Sequence, residues 1–524
     1  MIPRYYQSEA VDSIYQYFGT KKGNPVVAMP TGTGKSIVIS EFCRRVYTQF
    51  PGQRILVATH VKELIEQNHH KLVDNWPTAP AGIYSASVGR REIAPITFVG
   101  IQTVAKRAAD FGKVDLLLID ECHLVGTGQN TQYLQFIEDL KKVNPYLKVI
   151  GLTATPYRLG MGMITDGGIF SDICYDLTER QTFNRLIAEG FISPLICRKT
   201  VTELDVSSVH KQGGEYMQKE LQDAVDKAPI TAAALQEALT LGHNRHSWLV
   251  FAAGISHSNN IAEMLNMMGI PAAVVSGDMA KPERERVLRE FKAGTYRAVV
   301  NNNVLTTGFD FPGIDMIVML RPTSSPGLWV QMLGRGTRPC LGKENCLVLD
   351  FAGNTRRLGP INDPVIPKKK GAGGGGTAPV RICPNCNAYS HASARHCEDC
   401  GYEFPTVIKI VATASLAQVI ADDLPQIVNF DVTAAYYAEH HKPGKPASLR
   451  VTYQCGLRRF DQYICFEHPG YAAHRAKLWW DERAKSPAPT TVAEALARIA
   501  EVKQPSQIRV WINTRHPEIL GYEL

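Results

Sequence analysis

The sequence predicts an α/β protein with two parallel-sheet lobes followed by a smaller α+β region. The prediction rests on two series of short apolar strands, each alternating with helical patterns along the 524-residue chain. The first series comprises Pro25–Met29, Arg54–Thr59, Thr97–Gly100, Leu116–Ile119 and Lys148–Leu152. The second series comprises Trp248–Phe251, Ala272–Val275, Arg297–Val300, Met316–Leu320 and Cys346–Leu349. Strands that alternate with helices form parallel sheets with both faces covered, and ligands bind beyond the carboxyl ends of these strands.

Shifts in composition predict the domain boundaries. The two lobes are expected at residues 1–200 and 201–362, and the Lys- and Gly-rich stretch at 363–380 predicts a flexible linker. A cysteine-rich module is expected at residues 381–404. A small α+β domain is predicted at residues 405–524. Strand patterns occur there at Leu449–Tyr453, Tyr463–Phe466 and Gln507–Ile512, and helical patterns occur at Tyr471–Arg483 and Thr491–Val502.

Composition excludes some classes of protein. The sequence has no apolar run of the roughly 18 residues that a membrane-spanning helix needs, so no span is expected. The first seven residues lack the apolar segment of a signal peptide and are expected to be mature sequence. The formal net charge of +7 permits a polyanionic partner without requiring one. Only four of the 12 cysteines are clustered, a usage typical of a reducing cytoplasm.

A glycine-rich turn lies between the first strand and the helix that follows it. The segment from Ala28 to Ser36 contains Thr31, Gly32, Thr33, Gly34, Lys35 and Ser36. Glycines at this spacing let successive backbone N–H groups point into one concavity at a helix N-terminus, which binds phosphate. We expect Lys35 to reach the β- and γ-phosphates of ATP and the Ser36 hydroxyl to bind Mg²⁺. Met29 stands where the usual motif has its first glycine, and a chance glycine turn is the alternative interpretation.

An acidic pair follows the apolar run Leu116–Ile119. The strand delivers Asp120 to the edge of the sheet, where its carboxylate can hold Mg²⁺ through water. Glu121 is then placed to orient and deprotonate an attacking water molecule. An isolated Asp-Glu pair is more often a surface turn, but this pair comes after an apolar strand and downstream of a phosphate loop.

The segments Pro30–Ser36 and Asp120–His123 resemble the motifs of superfamily 2 helicases with a DECH box, and further family motifs follow in order. The resemblance covers residues 1–360 and implies two RecA-like lobes. It also implies that Arg4 and Gln7 contact adenine, that Thr59, His60, Lys62, Gln102 and Thr103 grip the nucleic-acid backbone, and that His123, Thr153 and Thr155 couple hydrolysis to movement.

Val304–Asp310 and Gln331–Arg338 match two second-lobe motifs of the same family. The match implies that Gly308 and Asp310 border the nucleotide, that Thr306 and Thr307 contact nucleic acid, and that Gln331, Arg335 and Arg338 act in hydrolysis. Two arginines on a second lobe also make physical sense, since the transferring phosphoryl group needs positive charge that arrives when the lobes close.

Several phrases are similar to the RadD-like group of DNA helicases, which includes bacterial DNA-repair proteins and phage-borne relatives. They are Thr59–Leu64, Gly151–Gly160, Leu305–Asp310 and Asp350–Asn354. This resemblance implies single-stranded or branched DNA as the partner, with an RNA helicase as an alternative. It is also compatible with a monomeric motor that has replication or recombination proteins as partners.

Cys383 and Cys386 form one C-x₂-C pair, and Cys397 and Cys400 form a second, ten residues further on. Two such pairs predict a zinc ribbon with four thiolate ligands, a closed and therefore structural site. The alternatives are a redox pair, or a histidine ligand at His391 or His396 in place of a cysteine. A DNA-contacting surface on the ribbon is the favoured interpretation of its role.

The final domain contains two adjacent tryptophans in a basic helical pattern, Lys477–Arg483. Adjacent helical residues lie about 100° apart, so one of Trp479 and Trp480 is expected to be buried and the other partly exposed. Core packing is the favoured interpretation, with base stacking on single-stranded DNA as the alternative.

The leading functional hypothesis is a DNA-dependent ATPase that translocates on DNA and remodels or unwinds it in repair, recombination or phage replication. The motor subunit of a restriction-type system is one alternative. A module that binds nucleic acid or a replication protein under ATP control, without productive movement, is the other.

Overall fold

The structure is a computed structural model that describes residues 3–126, 131–158, 162–366, 380–391, 394–397, 399–404, 426–442, 444–456, 458–469, 471–512 and 517–524. The chain forms two compact units, Met1–Asp422 and Asp423–Leu524. Most of the predicted linker, residues 367–379, lies outside the described residues, as do Leu159 and Gly160 of the RadD-like phrases. In the described part of the chain, no helix is both long and apolar enough to cross a membrane.

The first lobe of the larger unit is built on an eight-stranded sheet. Its strands, in spatial order, are β10 (Asp172–Asp176), β1 (Pro25–Ala28), β7 (Lys148–Thr153), β6 (Leu116–Asp120), β2 (Ile55–Thr59), β5 (Ile96–Gly100), β3 (Ala81–Ser85) and β4 (Arg90–Arg91). The helices are α1 (Tyr5–Thr20), α2 (Lys35–Gln49), α3 (Lys62–Asn75), α4 (Ile101–Val104), α5 (Gln132–Val143) and α6 (Arg180–Ala188). A short hairpin of β8 (Tyr157–Arg158) and β9 (Gly162–Met163) follows β7.

Pairing in this sheet is parallel, apart from β4, which runs antiparallel to β3. The central strands β1, β2, β5 and β6 are buried along their whole length, as expected for a sheet with helices on both faces. Their carboxyl ends therefore meet at one edge, where the phosphate loop, Asp120 and Thr153 emerge.

The second lobe has a six-stranded parallel sheet. Its spatial order is β11 (Leu195–Arg198), β18 (Cys346–Asp350), β17 (Met316–Leu320), β14 (Trp248–Ala252), β16 (Ala298–Asn301) and β15 (Ala272–Val275). Its helices are α7 (Gln218–Val225), α8 (Ala228–Leu241), α9 (Ile255–Met267), α10 (Lys281–Lys292), α11 (Pro326–Leu333) and α12 (Asn354–Leu358). A hairpin of β12 (Lys211–Gln212) and β13 (Glu215–Tyr216) precedes α7.

Strand β11 corrects the lobe boundary predicted at residue 200. Leu195 to Arg198 pair in parallel with Cys346 to Leu349 of β18, so the chain crosses into the second lobe before residue 195. The strand is only four residues long, and its alternating burial gives a weaker apolar signal than the fully buried strands. That pattern is expected of a strand at the edge of a sheet, where one side of the backbone has no neighbouring strand.

A small module with β19 (Val380–Ile382) and β20 (Tyr389–His391) belongs to the same unit. It docks on the free edge of β11: Lys199 N donates to Asn387 O at 2.9 Å, and Arg198 forms an antiparallel bridge with Ala388. The Arg198 guanidinium also contacts the Asp399 carboxylate, with Nε and Nη2 at 3.0 and 2.9 Å from Oδ2.

The smaller unit contains two antiparallel three-stranded sheets. One has the order β21 (Ile427–Asp431), β25 (Gln507–Trp511) and β26 (Glu518–Glu523), and the other β22 (Ala434–His440), β23 (Ser448–Cys455) and β24 (Arg458–Ile464). Two helices, α13 (Tyr471–Asp481) and α14 (Val492–Ala497), complete the described part of the unit.

Three predictions in this unit were wrong in detail. The strand predicted at Tyr463–Phe466 overlaps only the end of β24, which begins at Arg458 and pairs with β23 along its length. The first residues of β24 are mostly polar, so the apolar pattern does not predict them as a strand. The helix predicted at Thr491–Val502 stops at Ala497, because Arg498 leaves the helical region with φ −107° and the chain tightens into a 3₁₀ turn. Both tryptophans are buried, at 5% and 0% exposure for Trp479 and Trp480.

The two tryptophans have different neighbours within one buried core cluster. Trp480 packs edge-on against Phe466 and donates from Nε1 to Ser486 O at 3.2 Å. The Arg483 guanidinium covers the Trp479 ring at 4.9 Å from its centroid. Arg483 and Ser486, which follow the helix, therefore help to cover the two rings. Neither ring is available to stack on a base.

Candidate functional site

The phosphate loop begins one residue later than the sequence pattern suggests. Met29 N donates to Thr153 O at 2.8 Å, so pairing with β7 continues past β1, and Met29 extends the strand instead of replacing a loop glycine. Gly32 and Gly34 have φ of 89° and 86°, in the left-handed region that favours glycine. Helix α2 then starts at Lys35. The loop thus wraps around a helix N-terminus, an arrangement that can bind phosphate.

Gln7 braces this loop from the side of α1. The residue is 2% exposed, its Nε2 donates to Thr33 O at 2.9 Å, and its Oε1 accepts from Arg4 N at 2.9 Å. A Cβ atom on Gly34 would lie 2.5 Å from Gln7 Nε2, so only glycine permits this close approach. The predicted adenine-contacting side chain is thus engaged with the phosphate loop in this structure.

The acidic pair lies directly beside the loop. Lys35 Nζ is 3.7 Å from Glu121 Oε1, and the two side chains are 12% exposed each. Asp120 Oδ2 accepts from Asn68 Nδ2 at 2.8 Å, and its Oδ1 accepts from Glu121 N at 3.0 Å. Burial, together with the charge of Glu121, raises the pKa of Asp120 to about 6. Burial opposes ionisation of Glu121 as well, but Lys35 and other cationic neighbours lower its pKa overall.

The second lobe contributes two arginines to the opposite wall. Arg335 is 5% exposed, donates to the carbonyls of Thr306 and Phe309, and has a pKa lowered to about 9 by burial and by Arg338. Arg338 donates to Phe309 O at 2.6 Å and pairs with Asp310 at 3.0 Å. Arg335 Nε is buried without a hydrogen-bond partner among the described residues, so one donor remains for a bound anion.

Both lobes line one cleft of about 800 Å³. Its walls contain the phosphate loop and all of the predicted nucleotide-site residues: Arg4, Gln7, Thr31, Gly32, Thr33, Gly34, Lys35, Ser36, Asp120, Glu121, Gly308, Asp310, Arg335 and Arg338. The volume is within the range of small-molecule sites. The structure therefore brings together, from three segments of the first lobe and two of the second, the residues that the sequence pattern assigned to ATP.

The lobes touch directly at this cleft. Thr337 Oγ1 donates to Thr31 O at 3.2 Å, and a Cβ on Gly334 would lie 2.6 Å from Thr31 Cβ. Gln67 donates to Gly308 O from the first lobe to the second. The phosphate loop is therefore packed against the segment that carries both arginines.

His123 connects the acidic turn to both lobes. Gln331 Nε2 lies 3.2 Å from His123 Nε2, and since an amide nitrogen only donates, the imidazole Nε2 accepts. The imidazole proton is therefore on Nδ1, which donates to Thr153 Oγ1 at 2.9 Å. The Thr153 hydroxyl in turn donates to Thr155 O at 3.2 Å. Burial lowers the pKa of His123 to about 4, so the ring is neutral near pH 7.

The predicted nucleic-acid residues are less uniform in their exposure. Thr59 is 1% exposed and its hydroxyl accepts from Val61 N at 3.5 Å, so it shapes the loop after β2. Gln102 is exposed and its Nε2 donates to His60 O at 3.0 Å. His60 and Gln102 line a second cavity of about 360 Å³. Lys62, Thr103 and Thr307 are half-buried, whereas Thr306 is buried and donates from its hydroxyl to Asn303 O at 2.6 Å.

Two family models match the chain. Residues 1–158 match the type III restriction enzyme, res subunit, and residues 231–340 match the helicase conserved C-terminal domain. The two domains indicate a superfamily 2 helicase. The matched ranges contain the phosphate loop, the acidic pair and both arginines of the cleft.

Individual relatives agree with this family. A putative mitochondrial ATP-dependent helicase irc3 of Schizosaccharomyces pombe is 30% identical over 378 residues, which cover 69% of this chain and 59% of the relative. A 51.5 kDa protein of a Lactococcus phage is 25% identical over 390 residues, which cover 72% of this chain and 78% of the relative. The chain spans 59% and 53% of the lengths of the fission-yeast relative and of its similar Saccharomyces cerevisiae counterpart.

A solved structure supports the fold of the helicase core. A fragment of a putative HsdR subunit of a type I restriction enzyme from Vibrio vulnificus has a TM-score of 0.53 and 21% identity, covering 70% of this chain and 68% of that one. At this identity the likeness concerns the fold alone. The prediction of two RecA-like parallel-sheet lobes is confirmed.

One face of α3 is part of the cleft of the helicase core, and the sequence reasoning missed it. Gln67, His70, Lys71 and Asp74 line the cavity, and Asn68 on the same helix holds Asp120. The first four lie at positions i, i+3, i+4 and i+7, the spacing that places side chains on one helix face. Polar residues at this spacing, directly after the motif that begins at Thr59, were the sequence signal that could have identified this face of α3.

The four clustered cysteines come together outside the helicase cleft. Their sulfur atoms lie within 4.8 Å of one another, with Cys383 Sγ to Cys400 Sγ at 3.6 Å and Cys386 Sγ to Cys397 Sγ at 3.5 Å. Sulfurs placed tetrahedrally at about 2.3 Å from one zinc ion would be about 3.8 Å apart, so the donor set fits Zn²⁺. His396 lies outside the cluster, facing Glu403 at 3.9 Å, and the side chain of His391 lies outside the described residues.

Proposed function

We propose that this chain is an ATP-driven motor that translocates on DNA and unwinds or remodels it, and that the cleft between its two lobes is the ATPase site. One observation carries the proposal. Lys35 and Glu121 of the first lobe face Arg335 and Arg338 of the second across a single cleft of about 800 Å³. A site divided between two lobes links their separation to the state of the nucleotide.

Each residue of the cleft has a chemical role in this proposal. Lys35 and the loop amides bind the β- and γ-phosphates, and the Ser36 hydroxyl and the Asp120 carboxylate would hold Mg²⁺, which takes oxygen ligands. Glu121 orients the attacking water molecule and accepts its proton. Arg335 and Arg338 stabilise the charge that develops on the γ-phosphoryl group.

The adenine end is assigned to Arg4 and Gln7. Gln7 holds the Thr33 carbonyl of the phosphate loop, so recognition of the base and the shape of the loop depend on the same amide. Release of Gln7 from this carbonyl on adenine binding would free the loop to adjust around the phosphates. Through Gln7, recognition of the adenine base would thereby influence how the loop binds the phosphates.

Coupling to movement is assigned to Gln331, His123, Thr153 and Thr155. Their hydrogen bonds run from the second lobe, past Glu121, to the strand end that leads into the following segment of the first lobe. Because the ring of His123 is neutral and its tautomer is fixed by its partners, loss of any one contact reorients the ring beside Glu121. A change at the γ-phosphate can therefore reach both lobes.

DNA is assigned to the surfaces around Thr59, His60, Lys62, Gln102 and Thr103 of the first lobe and Thr306 and Thr307 of the second. Among superfamily 2 helicases we place the chain with the RadD-like group. This placement favours DNA, a role in repair, recombination or phage replication, and action in the bacterial cytoplasm as a monomeric motor.

The decisive experiment measures ATP hydrolysis by the purified chain with single-stranded DNA, duplex DNA, forked DNA and RNA. We expect stimulation by DNA, and loss of turnover in Lys35→Ala and in Glu121→Gln, because one loses phosphate binding and the other the base. Lys22→Ala, at an exposed position of the first lobe, is the matched control and should keep full turnover. Retained turnover in either cleft variant would refute the site, and stimulation by RNA alone would refute the choice of DNA.

Strand separation is tested on the forked DNA. Release of the displaced strand in the presence of ATP supports a helicase. DNA-stimulated turnover without release supports a translocase that remodels, and nucleotide-dependent DNA binding without turnover supports the alternative of an ATP-gated binding module.

A restriction-type motor is the second candidate, because residues 1–158 match the res subunit of type III restriction enzymes. Such a motor works together with a nuclease subunit. If the chain hydrolyses ATP only when a companion nuclease is added, this candidate replaces the first.

For the four cysteines we propose a structural zinc ribbon whose surface contacts DNA. Zinc binding would contribute on the order of 10 kcal/mol of folding free energy to a module with a very small core. Removal of zinc should therefore unfold this module first, while the helicase cleft keeps its nucleotide.

A further inference from the structure

The sheet of β22, β23 and β24 in the smaller unit has one covered side and one side open to solvent. Leu449, Val451, Tyr453, Phe460 and Ile464 belong to the buried core of the unit, together with both tryptophans of α13. Side chains alternate along a strand, so the neighbouring residues point the other way. We call this outward side the tyrosine face: it comprises Tyr436, Ala438 and His440 of β22, Arg450, Thr452 and Gln454 of β23, and Arg459, Asp461 and Tyr463 of β24.

Two aromatic side chains on the tyrosine face are largely exposed. Tyr436 is 58% exposed and Tyr463 is 47% exposed. The Tyr463 ring also lies 4.8 Å from the imidazole of His440, centroid to centroid, at an interplanar angle of 51°. Flat aromatic rings that are exposed on an ordered strand offer surfaces on which other rings can stack.

The charge of the tyrosine face is predominantly positive. Arg450 and Arg459 contribute guanidinium groups, and Asp461 is the single carboxylate among the residues of the face. Asp461 accepts a hydrogen bond from the Thr452 hydroxyl, whereas Arg459 donates to the Gln454 amide at 2.7 Å. Arg450 Nε is buried and has no hydrogen-bond partner among the described residues. The two arginines are thus not neutralised by acids, which favours a polyanion as ligand.

The arrangement of the rings fits a single nucleic-acid strand. Tyr436 pairs across β23 with Thr452 and Asp461, while Tyr463 lies opposite Arg450 and Ala438, one outward row further along the sheet. Two strand spacings and one two-residue repeat separate the Cα positions of the two tyrosines by about 12 Å. Arg450 lies between them. Bases of an extended strand can stack on both rings while the phosphate between them meets a guanidinium.

We propose that the tyrosine face binds single-stranded DNA by stacking bases on Tyr436 and Tyr463, with Arg450 and Arg459 contacting the phosphates. This is a second DNA site, separate from the helicase lobes, and it requires neither ATP nor the cleft. Base stacking tolerates every sequence but needs unpaired bases, so the face binds single strands and not duplex DNA.

A crosslinking experiment on the full chain tests the placement directly. An oligodeoxynucleotide with 5-iododeoxyuridine in place of thymidine is bound without nucleotide and irradiated, and crosslinked peptides are identified by mass spectrometry. Stacked aromatic rings are the preferred partners of this reaction, so we expect crosslinks at Tyr436 and Tyr463. Crosslinks confined to the helicase lobes would overturn the proposal.

Affinity measurements then test the contribution of the rings. In the full chain, Tyr436→Ala with Tyr463→Ala is expected to weaken binding of a fluorescent oligothymidine at least tenfold, since each stacked base contributes roughly 1–3 kcal/mol. Tyr146→Ala, at an 87% exposed tyrosine of the first lobe, is the matched control and should bind normally. The double variant should keep its affinity for blunt duplex DNA and its maximal DNA-stimulated ATPase rate.

The outcomes distinguish this proposal from the ATPase proposal. An unchanged affinity for oligothymidine, or an equal loss for duplex DNA, would refute stacking on this face even if ATP hydrolysis is normal. Conversely, a chain without ATPase activity that still shows the tenfold loss would support the face while refuting the motor.

Discussion

Replacing Lys343 by methionine is expected to slow ATP turnover without preventing nucleotide binding. The Lys343 ammonium donates to three carbonyls, Gly336 O at 2.7 Å, Arg338 O at 2.8 Å and Pro312 O at 3.2 Å. It therefore ties the segment that carries the cleft arginines to the loop after Asp310. All three of its protons are used, and burial lowers its pKa. Methionine keeps the aliphatic stem but none of the donors.

The magnitude follows from these three contacts. A hydrogen bond contributes about 1 kcal/mol net, so the variant should lose at most about 3 kcal/mol of unfolding free energy, and less where water replaces the donor. Displacement of a positioned group by about 1 Å can cost a hundredfold in rate. We therefore expect kcat to fall ten- to a hundredfold while KM for ATP changes little.

Steady-state ATPase assays at saturating DNA, together with thermal unfolding, check this prediction. Lys343→Arg keeps several donors and should recover part of the lost rate. Lys281→Met, at a surface lysine of the same lobe that pairs with Glu285, is the matched control and should behave as wild type. A rise in KM alone, or a lower melting temperature with unchanged kcat, would show that Lys343 does not position the arginines.

Three further predictions concern the metal, the lobe contact and pH. Elemental analysis should find about one zinc per chain, and Cys383→Ser should lose it, because three thiolates leave the ion a weaker site; zinc-free wild-type protein would contradict the ribbon. Gly334→Ala should weaken ATP turnover, because its Cβ would meet Thr31 at 2.6 Å, whereas Gly277→Ala has open space and should not; equal rates would contradict lobe closure at this contact. Burial lowers the pKa of His257 to about 4, whereas the unfolded value is about 6.5. Between these pH values the unfolded chain binds more protons than the folded chain. The free energy of unfolding should therefore decrease as the pH is lowered through this window, by on the order of 3 kcal/mol. Chemical denaturation of His257→Gln should show a shallower fall over this window, and an unchanged slope would contradict the assignment.

The sequence was sufficient to place most of the two sheets. The predicted strands at Ala272–Val275 and Met316–Leu320 coincide with β15 and β17. Strand β17 is buried along its whole length, and buried parallel strands are continuous apolar runs. The same property placed Asp120 at a strand end, where a parallel sheet binds ligands. The edge strand β11 was missed, because it is short and only alternately buried, and nothing local marks which sheet it joins.

Long-range contacts explain the remaining differences. The hydrogen bond between Gln7 and Thr33 joins residues 26 positions apart, and the contact between Gln331 and His123 joins residues 208 positions apart. Neither can be predicted from a local sequence pattern. The contacts of Trp480 with Ser486 and Arg498 likewise depend on the chain folding back after α13. The residue types of the cleft were foreseen, but their partners required the three-dimensional fold.

The docking of the cysteine module on β11 has a consequence for how the chain behaves among its own copies. An exposed edge strand presents unpaired N–H and C=O groups, to which a strand of another molecule can pair. In this protein Asn387 and Ala388 occupy that edge, held by the Arg198–Asp399 ion pair and by the fold of the four cysteines. If the four thiolates are oxidised, or if a metal that they hold is chelated, we expect the module to leave β11 and to expose a strand edge to which another copy of the chain can pair.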